Sequence, residues 1–510
     1  MLVKPAFKKV LVANRGEIAV RVIRTLHEMG IRAVAIYSDA DRAALHVRMA
    51  DEAYPVGPAA ATESYLRIDK VVDVAKKAGC DAVHPGYGFL SENPNFVDAC
   101  DRAGIVFIGP PASAMRSMGS KTAARIKMAE AGVPIVPGVN NCNSTEEAIT
   151  AAKKIGFPVM LKAASGGGGK GMRLVHSEDE MANAWERARS EAKKFFSDDT
   201  VYIEKAIIRP RHVEIQVMGD RDGNMVHVFE RDCSIQRRNQ KVVEETPTPA
   251  KQATRALIDQ MGKIAVQGAK AVGYFSAGTF EFLLAADGSF YFLEMNTRLQ
   301  VEHPVTELIT GTDLVREMVL VAQGEKLSFK QEDLVARGAA IQCRVYAEDP
   351  ASGFLPSPGK IEKLTVPSGP GIRDDSGAYP GSEVSSFYDP LVSKLCVWAP
   401  TRERAVARMR RALREYIVTG IRTNLAFHEK LFAHPEFIAG EYDTGFIDRY
   451  KDELLGYPLV PEGDRDAVAV AIALAAARME RATGQSAAMK GEEGSRLSPW
   501  VHQHRARTLG

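Results

Sequence analysis

The sequence predicts a multidomain protein that combines α/β with α+β architecture. Its first part alternates short apolar runs with amphipathic stretches, beginning at residues 8–13 and 18–29, which is typical of βαβ units and a parallel sheet. Residues 201–230 and 278–294 instead contain apolar runs joined by short turns, which indicates antiparallel strands. With 510 residues, of which 45% are hydrophobic and 25% charged, the chain is long enough for several domains with their own cores.

Composition excludes several classes of protein. The net charge is +2 without a dominant basic stripe, so nothing points to nucleic-acid binding. The apolar run at 467–477 is too short to span a bilayer, and the N-terminus lacks the apolar segment of a signal peptide. The six cysteines are scattered without a C-x-x-C pair, which argues against disulfides or structural zinc. We therefore expect a protein of the reducing cytoplasm with no membrane partner.

The N-terminal part predicts one parallel sheet. After the strand at 8–13, an amphipathic helix with Ile18, Val22 and Leu26 on one face ends at Gly30. Further strands of the same sheet are predicted at 33–37, 81–84 and 105–108. The loop 84–89 follows the carboxyl end of a strand, where open α/β sheets carry ligand loops. No G-x-G-x-x-G pattern is present here, so the sequence gives no reason to propose a dinucleotide site.

Two glycine-containing segments suggest phosphate binding to different degrees. Residues 119–122 lack the spacing of a P-loop, so Lys121 is interpreted from the pattern as a solvated lysine at the start of a helix. Five of the six residues 166–171 are glycine, and they join predicted strands at 158–164 and 172–175. A glycine loop between two strands is a flap whose backbone N–H groups can wrap phosphates. The alternative interpretation is a flexible surface hairpin.

The antiparallel part contains a segment rich in cations. Strands are predicted at 201–205, 212–218 and 225–230. The residues after 205 are predicted to form a hinge whose backbone donors and acceptors can bind a planar ring. Residues 231–241 are predicted to form a cationic loop before the next helix. Such a charge run is usually a solvated face. Its place between the glycine flap and the following hairpin favours anion binding.

The hairpin around Asp287-Gly288 carries the strongest chemical signal. A two-residue turn at these positions would place Glu281 opposite Glu294, and like charges directly opposite are destabilising. A hard cation such as Mg²⁺ between them, with Asn296 nearby, would remove the conflict. The alternative is a solvated hairpin edge. The second strand is predicted to continue through Glu302, and its period of two puts five polar side chains on one face: Glu294, Asn296, Arg298, Gln300 and Glu302.

Several long motifs, taken together, resemble the biotin carboxylase family of the ATP-grasp superfamily. They occur in the family's order from about residue 7 to 447: ANRGEIA at 13–19, HPGYGFLSEN at 84–93, the glycine loop, PRHVE at 210–214, QRRNQK at 236–241 and EMNTRLQVEHP at 294–304. The resemblance implies a Rossmann-like N-terminal domain (1–117), an ATP-grasp domain with a glycine-rich flap (118–336, flap about 134–204) and a β-rich C-terminal biotin carboxylase domain (337–450). Past residue 450 the resemblance fades. An alanine-rich helix is predicted at 464–481 and residues 484–498 are of low complexity, so we expect 451–510 to form a helical and partly flexible tail.

The resemblance also implies an activity. Members of the family carboxylate biotin on a biotin carboxyl carrier protein through carboxyphosphate, using ATP, bicarbonate and Mg²⁺, or Mn²⁺ in its place. This is the first half-reaction of a biotin-dependent carboxylase such as the acetyl-CoA carboxylase of fatty acid biosynthesis. The expected partners are the carrier and carboxyltransferase subunits on other chains, together with a second copy in a homodimer.

Site residues follow from the resemblance position by position. The ATP contacts would be Lys121, Lys162, Gly166, Gly167, Gly168, Gly169, Glu204, Lys205, Ile207, His212 and Gln236. The metal ligands would be Glu281, Glu294 and Asn296. Bicarbonate would be bound by Lys241, Arg298, Gln300, Val301 and Glu302, with Glu302 as the base. Arg344 would stabilise the biotin enolate, and Tyr87 lies in the matching biotin-side loop.

A few features depart from the pattern or leave alternatives. Asn239 replaces the His of some relatives in QRRHQK, and we assign it no acid–base role because an amide carries no charge. Ala488-Met489-Lys490 lacks the flanking strands of a biotinyl domain, so biotin should arrive on another chain. Residues 387–390 match a family motif that we place near the biotin entrance. The alternatives are another ATP-grasp ligase, making an amide or carbamoyl phosphate, and a non-catalytic nucleotide-binding subunit.

Overall fold

The computed structural model describes residues 7–139, 142, 144–163, 172–196, 198–455, 465–471, 473, 474 and 477, and it divides the chain into two units at residue 455. In the second unit, residues 465–471 are helical and exposed, where the sequence predicts an alanine-rich helix. The glycine loop and residues 484–498 lie outside the described part. Within the described part, no helix is both long enough and apolar enough to cross a membrane.

The N-terminal region of the first unit is a five-stranded parallel sheet covered by helices. The strands are β1 Lys9–Val12, β2 Arg32–Ser38, β3 Glu52–Gly57, β4 Ala82–His84 and β5 Val106–Phe107, in the order β3-β2-β1-β4-β5. The helices are α1 Gly16–Glu28, α2 Leu45–Met49, α3 Ile68–Lys77, α4 Pro94–Arg102 and α5 Ala112–Gly119. The four predicted strands are confirmed. Sequence reasoning missed β3, whose segment EAYPVG includes an acid and a proline that weaken the strand pattern.

The second region contains a four-stranded antiparallel sheet with helices on it. Its strands are β6 Gly138–Val139, β7 Val159–Ala163, β8 Met172–Val175 and β9 Val201–Lys205, in the order β6-β9-β7-β8. The helices are α6 Lys121–Glu130, α7 Thr145–Ile155 and α8 Glu178–Phe196. Trp185 is buried in the core that α7 and α8 form with this sheet, whereas α6 packs on α5 and on the later helix Arg255–Ala271. The strands on both sides of the glycine loop are therefore placed as predicted.

The remaining strands and helices form the largest part of the first unit. The strands are β10 Arg211–Gly219, β11 Met225–Arg237, β12 Gln240–Thr246, β13 Ser276–Leu284, β14 Phe290–Asn296, β15 Ala339–Tyr346, β16 Glu348–Asp349, β17 Leu355–Pro356, β18 Gly359–Lys360, β19 Lys363–Thr365, β20 Ile372–Ser376, β21 Glu383–Val384, β22 Leu391–Ala399 and β23 Ile417–Thr419. The helices are α9 Arg255–Ala271, α10 His303–Thr310, α11 Leu314–Gln323, α12 Arg402–Glu415, α13 Leu425–Ala433, α14 Pro435–Ala439, α15 Phe446–Arg449 and α16 Lys451–Leu455.

Eight of these strands form one antiparallel sheet, in the order β14-β13-β10-β11-β12-β15-β22-β20. The sheet runs without interruption from the ATP-grasp part into the C-terminal part, because β12 pairs directly with β15. Residues that are about 100 positions apart in sequence, such as Glu244 and Gln342, therefore lie side by side. This continuity places the predicted metal residues together with Lys241 and Arg344 on one sheet.

The predicted cationic loop at 231–241 is wrong. Strand β11 continues to Arg237, a two-residue turn follows at Arg238 and Asn239, and β12 begins at Gln240. Both turn residues have positive φ, 50° and 63°, as a tight hairpin turn with the twist of its strands requires. Arg231 does not face water, because it is fully buried and ion-paired with Glu214, whereas Arg238 in the turn is exposed.

The hairpin of β13 and β14 confirms one prediction and corrects two others. Glu281 does face Glu294, as predicted. The turn, however, spans Ala286–Gly288, and Leu293 is an extra residue that restores the pairing through a bulge. The chain also leaves the sheet after Asn296 and enters α10 at His303, so the extended strand predicted through Glu302 is wrong.

Candidate active site

A cavity of about 560 Å³ lies between the four-stranded sheet and the eight-stranded sheet. Almost every predicted site residue whose side chain the structure describes lines it. These are Lys162, Glu204, Lys205, Ile207, His212, Gln236, Lys241, Glu281, Glu294, Asn296, Arg298, Gln300, Val301, Glu302 and Arg344. Predicted residues Gly166 to Gly169 lie outside the described residues, and the side chain of Lys121 is not described. The cavity is thus a concave site with many polar groups, of the kind that binds small charged ligands.

Glu281 is the centre of the predicted metal site. Its Oε1 accepts hydrogen bonds from Lys241 Nζ at 2.7 Å, Asn296 Nδ2 at 2.8 Å and Gln300 Nε2 at 2.8 Å. Its Oε2 lies 3.2 Å from His212 Nε2. Burial would raise the pKa of Glu281, but the charges of Lys241 and His212 outweigh burial and lower this pKa well below its ordinary value. Glu281 is therefore an ionised carboxylate held inside the protein.

The donors around Glu281 fit a hard cation. Glu281 and Glu294 face each other across the hairpin, and Asn296 follows two residues after Glu294 on the same side of the strand. The Nδ2 of Asn296 faces Glu281 and its Oδ1 accepts from Arg298, so the amide would have to turn over to offer its oxygen to a metal. Two carboxylates are the ligands with which Mg²⁺ is usually held when phosphate oxygens complete its coordination. The residues present therefore suit the metal that the resemblance implies.

Lys241 connects the predicted metal site with the predicted base. Its Nζ donates to Glu214 Oε2 at 2.6 Å, Glu281 Oε1 at 2.7 Å and Glu302 Oε1 at 2.7 Å. All three ammonium hydrogens are therefore used. Burial would lower the pKa of Lys241, but the three carboxylates raise it well above its ordinary value, so the side chain stays charged.

Glu302 lies at the other end of this cluster. Its Oε1 binds Lys241, and its Oε2 accepts from Arg344 Nη2 at 3.0 Å. Burial would raise the pKa of Glu302, but the charges of Lys241, Arg344 and Arg231 overcome this effect and hold the pKa below its usual range. Glu302 is therefore ionised at neutral pH, as a base must be before it accepts a proton.

Arg344 is anchored from behind. Its Nε donates to Glu244 Oε1 at 2.6 Å, and its backbone carbonyl accepts from His428 Nε2 at 2.9 Å and Asn424 Nδ2 at 3.0 Å. Burial raises the pKa of Glu244, although Arg344 opposes this effect. The guanidinium is therefore held against Glu302 by Glu244 on β12, and the backbone of Arg344 is held by His428 on α13 and by Asn424 just before that helix.

Arg298 is oriented by a residue that sequence reasoning missed. Its Nη2 donates to Asn296 Oδ1 at 2.8 Å, and its Nε donates to Glu92 Oε2 at 2.9 Å. Glu92 also accepts from the backbone N–H of Thr297 at 2.9 Å, so it ties the N-terminal region to the segment after β14. The available signal was the HPGYGFLSEN loop, in which Glu92 is the only acid.

The predicted ATP end is organised around Glu204. This buried carboxylate contacts Lys162 and accepts from Arg125 Nη1 at 2.9 Å. Arg125 on α6 was also missed, because one arginine on a helix gives no signal in the sequence. Lys205 Nζ donates to the carbonyls of Gly156 and Phe157 at 2.8 and 3.0 Å. Its ammonium thus fixes the start of β7.

The predicted biotin side is only partly assembled at the cavity. Arg344 lines the cavity, whereas Tyr87 is not among the described lining residues. The ring of Tyr87 instead faces Lys394, whose Nζ lies 5.7 Å from the ring centre. The motif at 387–390 does contribute, since Asp389 and Pro390 line the cavity. Tyr388 of that motif packs under the guanidinium of Arg15, 4.1 Å from its ring centre. A role for Tyr87 in binding biotin remains a prediction.

Comparison with known proteins agrees with this geometry. Three family descriptions match in succession: "Biotin carboxylase, N-terminal domain" at residues 6–115, "Carbamoyl-phosphate synthase L chain, ATP binding domain" at 120–330 and "Biotin carboxylase C-terminal domain" at 342–449. The chain is 51% identical to biotin carboxylase 1 of Bacillus subtilis over 445 residues, which cover 87% of this chain and 98% of that protein.

Two further relatives extend the comparison. The alpha subunit of Dictyostelium discoideum methylcrotonoyl-CoA carboxylase is 50% identical over 92% of this chain and 67% of its own length. The biotin carboxylase domain dimer of Hydrogenobacter thermophilus 2-oxoglutarate carboxylase, solved with MgADP, ADP and bicarbonate, is 46% identical with a TM-score of 0.84. It covers 89% of this chain and 99% of that one. The predicted three-part architecture is thereby confirmed, and the chain belongs to the biotin carboxylase family of ATP-dependent ligases.

Proposed function

We propose that this family member carboxylates biotin in an ATP- and bicarbonate-dependent reaction, and that the 560 Å³ cavity is its active site. One observation carries the proposal. The ammonium of Lys241 binds the base Glu302 and the metal ligand Glu281 at 2.7 Å each. A phosphoryl donor bound at Glu281 and an acceptor deprotonated by Glu302 would therefore meet at a single cation.

Bicarbonate activation would begin at Glu302. The cations that keep Glu302 ionised also make it a weak base, because they stabilise its charge. A bicarbonate anion bound between Lys241 and Arg298 would compete for these cations. The pKa of Glu302 would then rise, and the carboxylate would accept the proton from bicarbonate more readily.

Phosphoryl transfer would follow at the Glu281 end of the cavity. When bound by Glu281, Glu294 and Asn296, Mg²⁺ supplies positive charge to the phosphates. Lys162 and His212 line the same cavity and would bind ATP oxygens. Attack of the bicarbonate oxygen on the γ-phosphorus breaks the bond to the β-phosphate oxygen and gives carboxyphosphate and ADP. The predicted glycine flap would keep water away from carboxyphosphate.

Biotin would be carboxylated beside Arg344. Carboxyphosphate breaks down to CO₂ and phosphate, phosphate takes the N1 proton of biotin, and the ureido nitrogen attacks CO₂. The guanidinium of Arg344 would stabilise the enolate oxygen that develops on the ureido group. Because Arg344 and Lys241 contact opposite oxygens of Glu302, one carboxylate connects both halves of the reaction.

The partners are inferred from the same assignment. Biotin would arrive on a carrier protein, and a carboxyltransferase on another chain would use the carboxybiotin. We propose a homodimer, which the described dimer of the Hydrogenobacter domain supports. Acetyl-CoA as the final acceptor, and thus a role in fatty acid biosynthesis in the cytoplasm, also remains a proposal, since one relative is a methylcrotonoyl-CoA carboxylase subunit.

The decisive experiment is an assay of bicarbonate-dependent ATP cleavage with and without free biotin. We expect cleavage to require bicarbonate and to increase with biotin. Arg344→Met should abolish the stimulation by biotin, about 10²-fold or more, because the guanidinium stabilises the enolate. Biotin-independent cleavage should persist at a changed rate, because Glu302 keeps Lys241 but loses its contact with Arg344. Arg411→Met on α12 is the control, since Arg411 is exposed and paired with Glu415. Cleavage that ignores bicarbonate and biotin would contradict the proposal.

A further inference from the structure

Beneath the cavity, Arg231 on β11 is enclosed completely by polar partners. Its side chain has no solvent exposure, and its five N–H hydrogens meet five acceptors. Nε donates to Glu214 Oε1 at 2.5 Å, Nη1 to Gln216 Oε1 at 2.7 Å and Thr306 Oγ1 at 3.0 Å, and Nη2 to Gln300 Oε1 at 2.8 Å and Thr279 Oγ1 at 3.1 Å. So far its charge has been assigned only an effect on the pKa of Glu302.

Two of these partners, Gln300 and Glu214, each bind an active-site residue through their other polar atom. The amide of Gln300 turns its oxygen to Arg231 and its Nε2 to Glu281 at 2.8 Å. Glu214 gives Oε1 to Arg231 and Oε2 to Lys241 at 2.6 Å. Each side chain therefore connects Arg231 to a group that the proposed reaction uses.

Arginine determines the orientation of the Gln300 amide. A guanidinium has only donors, so only the amide oxygen can face Arg231 and the NH₂ must face the cavity. A buried amide turned the other way would bring N–H against N–H and leave its oxygen beside the carboxylate of Glu281, an arrangement with a large penalty. Arg231 thus presents the cavity with a fixed hydrogen-bond donor at Gln300.

We propose that Arg231 is a positioning residue that fixes the donor face of the bicarbonate subsite, acting through Gln300 directly and through Glu214 on Lys241. The proposal rests on the proposed function, because it assumes that Gln300 and Lys241 receive bicarbonate. The proposal predicts that loss of Arg231 weakens the binding of bicarbonate more than the binding of ATP. The predicted ATP contacts Glu204, Lys162 and Lys205 are not among the described hydrogen-bond partners of Arg231.

The test compares Arg231→Lys with a matched arginine outside the site. Lysine keeps the charge but has at most three donors, so Gln300 and Glu214 cannot both be held in their present geometry. Arg402 is the matched residue, because it makes four hydrogen bonds, two of them to the buried carboxylate Glu245, and does not line the cavity. The KM for bicarbonate, the KM for ATP, kcat and the melting temperature are measured for wild type, Arg231→Lys and Arg402→Lys.

We expect both variants to melt at lower temperature, but only Arg231→Lys to raise the KM for bicarbonate, by about tenfold, with a change of less than about twofold in the KM for ATP. Thr279→Val is a milder second variant for the case that Arg231→Lys does not fold. It removes the other acceptor of the same Nη2 that holds Gln300, and a rise of about threefold in the bicarbonate KM alone is expected.

Each result decides between two roles for Arg231. If Arg231→Lys and Arg402→Lys change stability alike and neither changes the bicarbonate KM selectively, Arg231 is structural only and the proposal is overturned. An unchanged bicarbonate KM in Thr279→Val, when only that variant folds, overturns it as well. Wild-type protein without bicarbonate-dependent cleavage would instead overturn the proposed function on which the inference depends, and this is seen before any variant is measured.

Discussion

The parallel N-terminal sheet and the antiparallel central sheet bury their strands in different ways. In β1 and β2 no charged side chain is fully buried, and the fully buried side chains other than Ser38 are apolar, as at Leu11, Val34 and Ile36. In β10, β11 and β12 charged side chains are just as deeply buried, as at Glu214 and Arg231. The difference teaches that burial depth does not distinguish a structural sheet from a functional one. What distinguishes them is whether the buried groups are apolar or fully paired charges.

The charged arrangement prepares the central sheet for its ligands. Removing a charge from water is costly unless partners satisfy it, and Glu281, Lys241 and Glu302 beside the cavity each have at least two. Lys241, for example, is shared among three carboxylates. An incoming anion can therefore replace protein carboxylates as the partner of a cation that is already desolvated. The apolar sheet has no such groups to offer, so we expect mutations in the two sheets to affect different quantities.

The largest effect is expected for Glu302→Gln in the charged cluster. Glutamine is nearly isosteric but cannot take a proton from bicarbonate. Bicarbonate-dependent turnover should fall by about 10²- to 10⁴-fold, the usual contribution of a general base, while the affinity for ATP is retained. The measurements are steady-state ATP cleavage and equilibrium binding of ATP.

Glu245→Gln provides the matched control for this substitution. Glu245 is a buried carboxylate of β12 paired with Arg402, and it does not line the cavity. The Glu245→Gln variant should have a lower free energy of unfolding than wild type but the same bicarbonate-dependent turnover. Equal turnover in Glu302→Gln and wild type would remove Glu302 from the role of base and weaken the contrast between the two sheets.

Leu11→Ala in β1 should have the opposite profile. Leu11 is fully buried in the core around the parallel sheet, and its truncation should cost about 2–5 kcal/mol of stability through lost transfer energy and a cavity. The KM values for ATP and bicarbonate should not change. Urea unfolding followed by circular dichroism and steady-state kinetics measure the two effects. Leu66→Ala is the control, because Leu66 is 38% exposed; an equal loss there would mean that burial is not the cause.

The two sheets also differ in how far sequence could predict them. The signals of β1, β2, β4 and β5 are local apolar runs, and these strands lie where the sequence predicts them. Residues 231–241 were predicted as a loop because the partners of their charges are far away in sequence. Arg231 is paired with Gln300, 69 residues on. The site residues were found through motif resemblance. Glu92, although inside the HPGYGFLSEN motif, and Arg125, which has no motif, were missed.

An effect of intermediate size is expected from the buried histidine His428, through the pH dependence of the free energy of unfolding. His428 on α13 is fully buried behind Arg344, and burial lowers its pKa from 6.5 to about 4. The unfolded chain therefore binds a proton below pH 6.5, whereas the folded chain does so only near pH 4. Stability is complete above pH 6.5 and falls as pH decreases toward 4. Between pH 7 and pH 5 this group alone should cost about 2 kcal/mol.

His428→Gln should remove this pH dependence while retaining a donor for the carbonyl of Arg344. The unfolding free energy of wild type and variant is measured at pH 7 and pH 5. The wild type should lose about 2 kcal/mol more than the variant over this interval. His176→Gln is the control, since the exposed imidazole is solvated in the folded and unfolded chain alike. The same pH dependence in wild type and His428→Gln would show that His428 is not the source.

The smallest effect concerns Asn239, which lies in the turn of the charged sheet and also lines the cavity. Its φ of 63° is left-handed, a conformation that asparagine and glycine adopt more easily than alanine. If the turn explains this residue, Asn239→Gly should retain both stability and the KM for ATP, and Asn239→Ala should cost about 1 kcal/mol of stability with little change in kinetics. If its amide binds a ligand, both substitutions should raise the KM for ATP equally, because both remove the amide. Thermal melting and steady-state kinetics of the two variants therefore show whether asparagine is needed at 239 for the conformation of the turn or for binding a ligand.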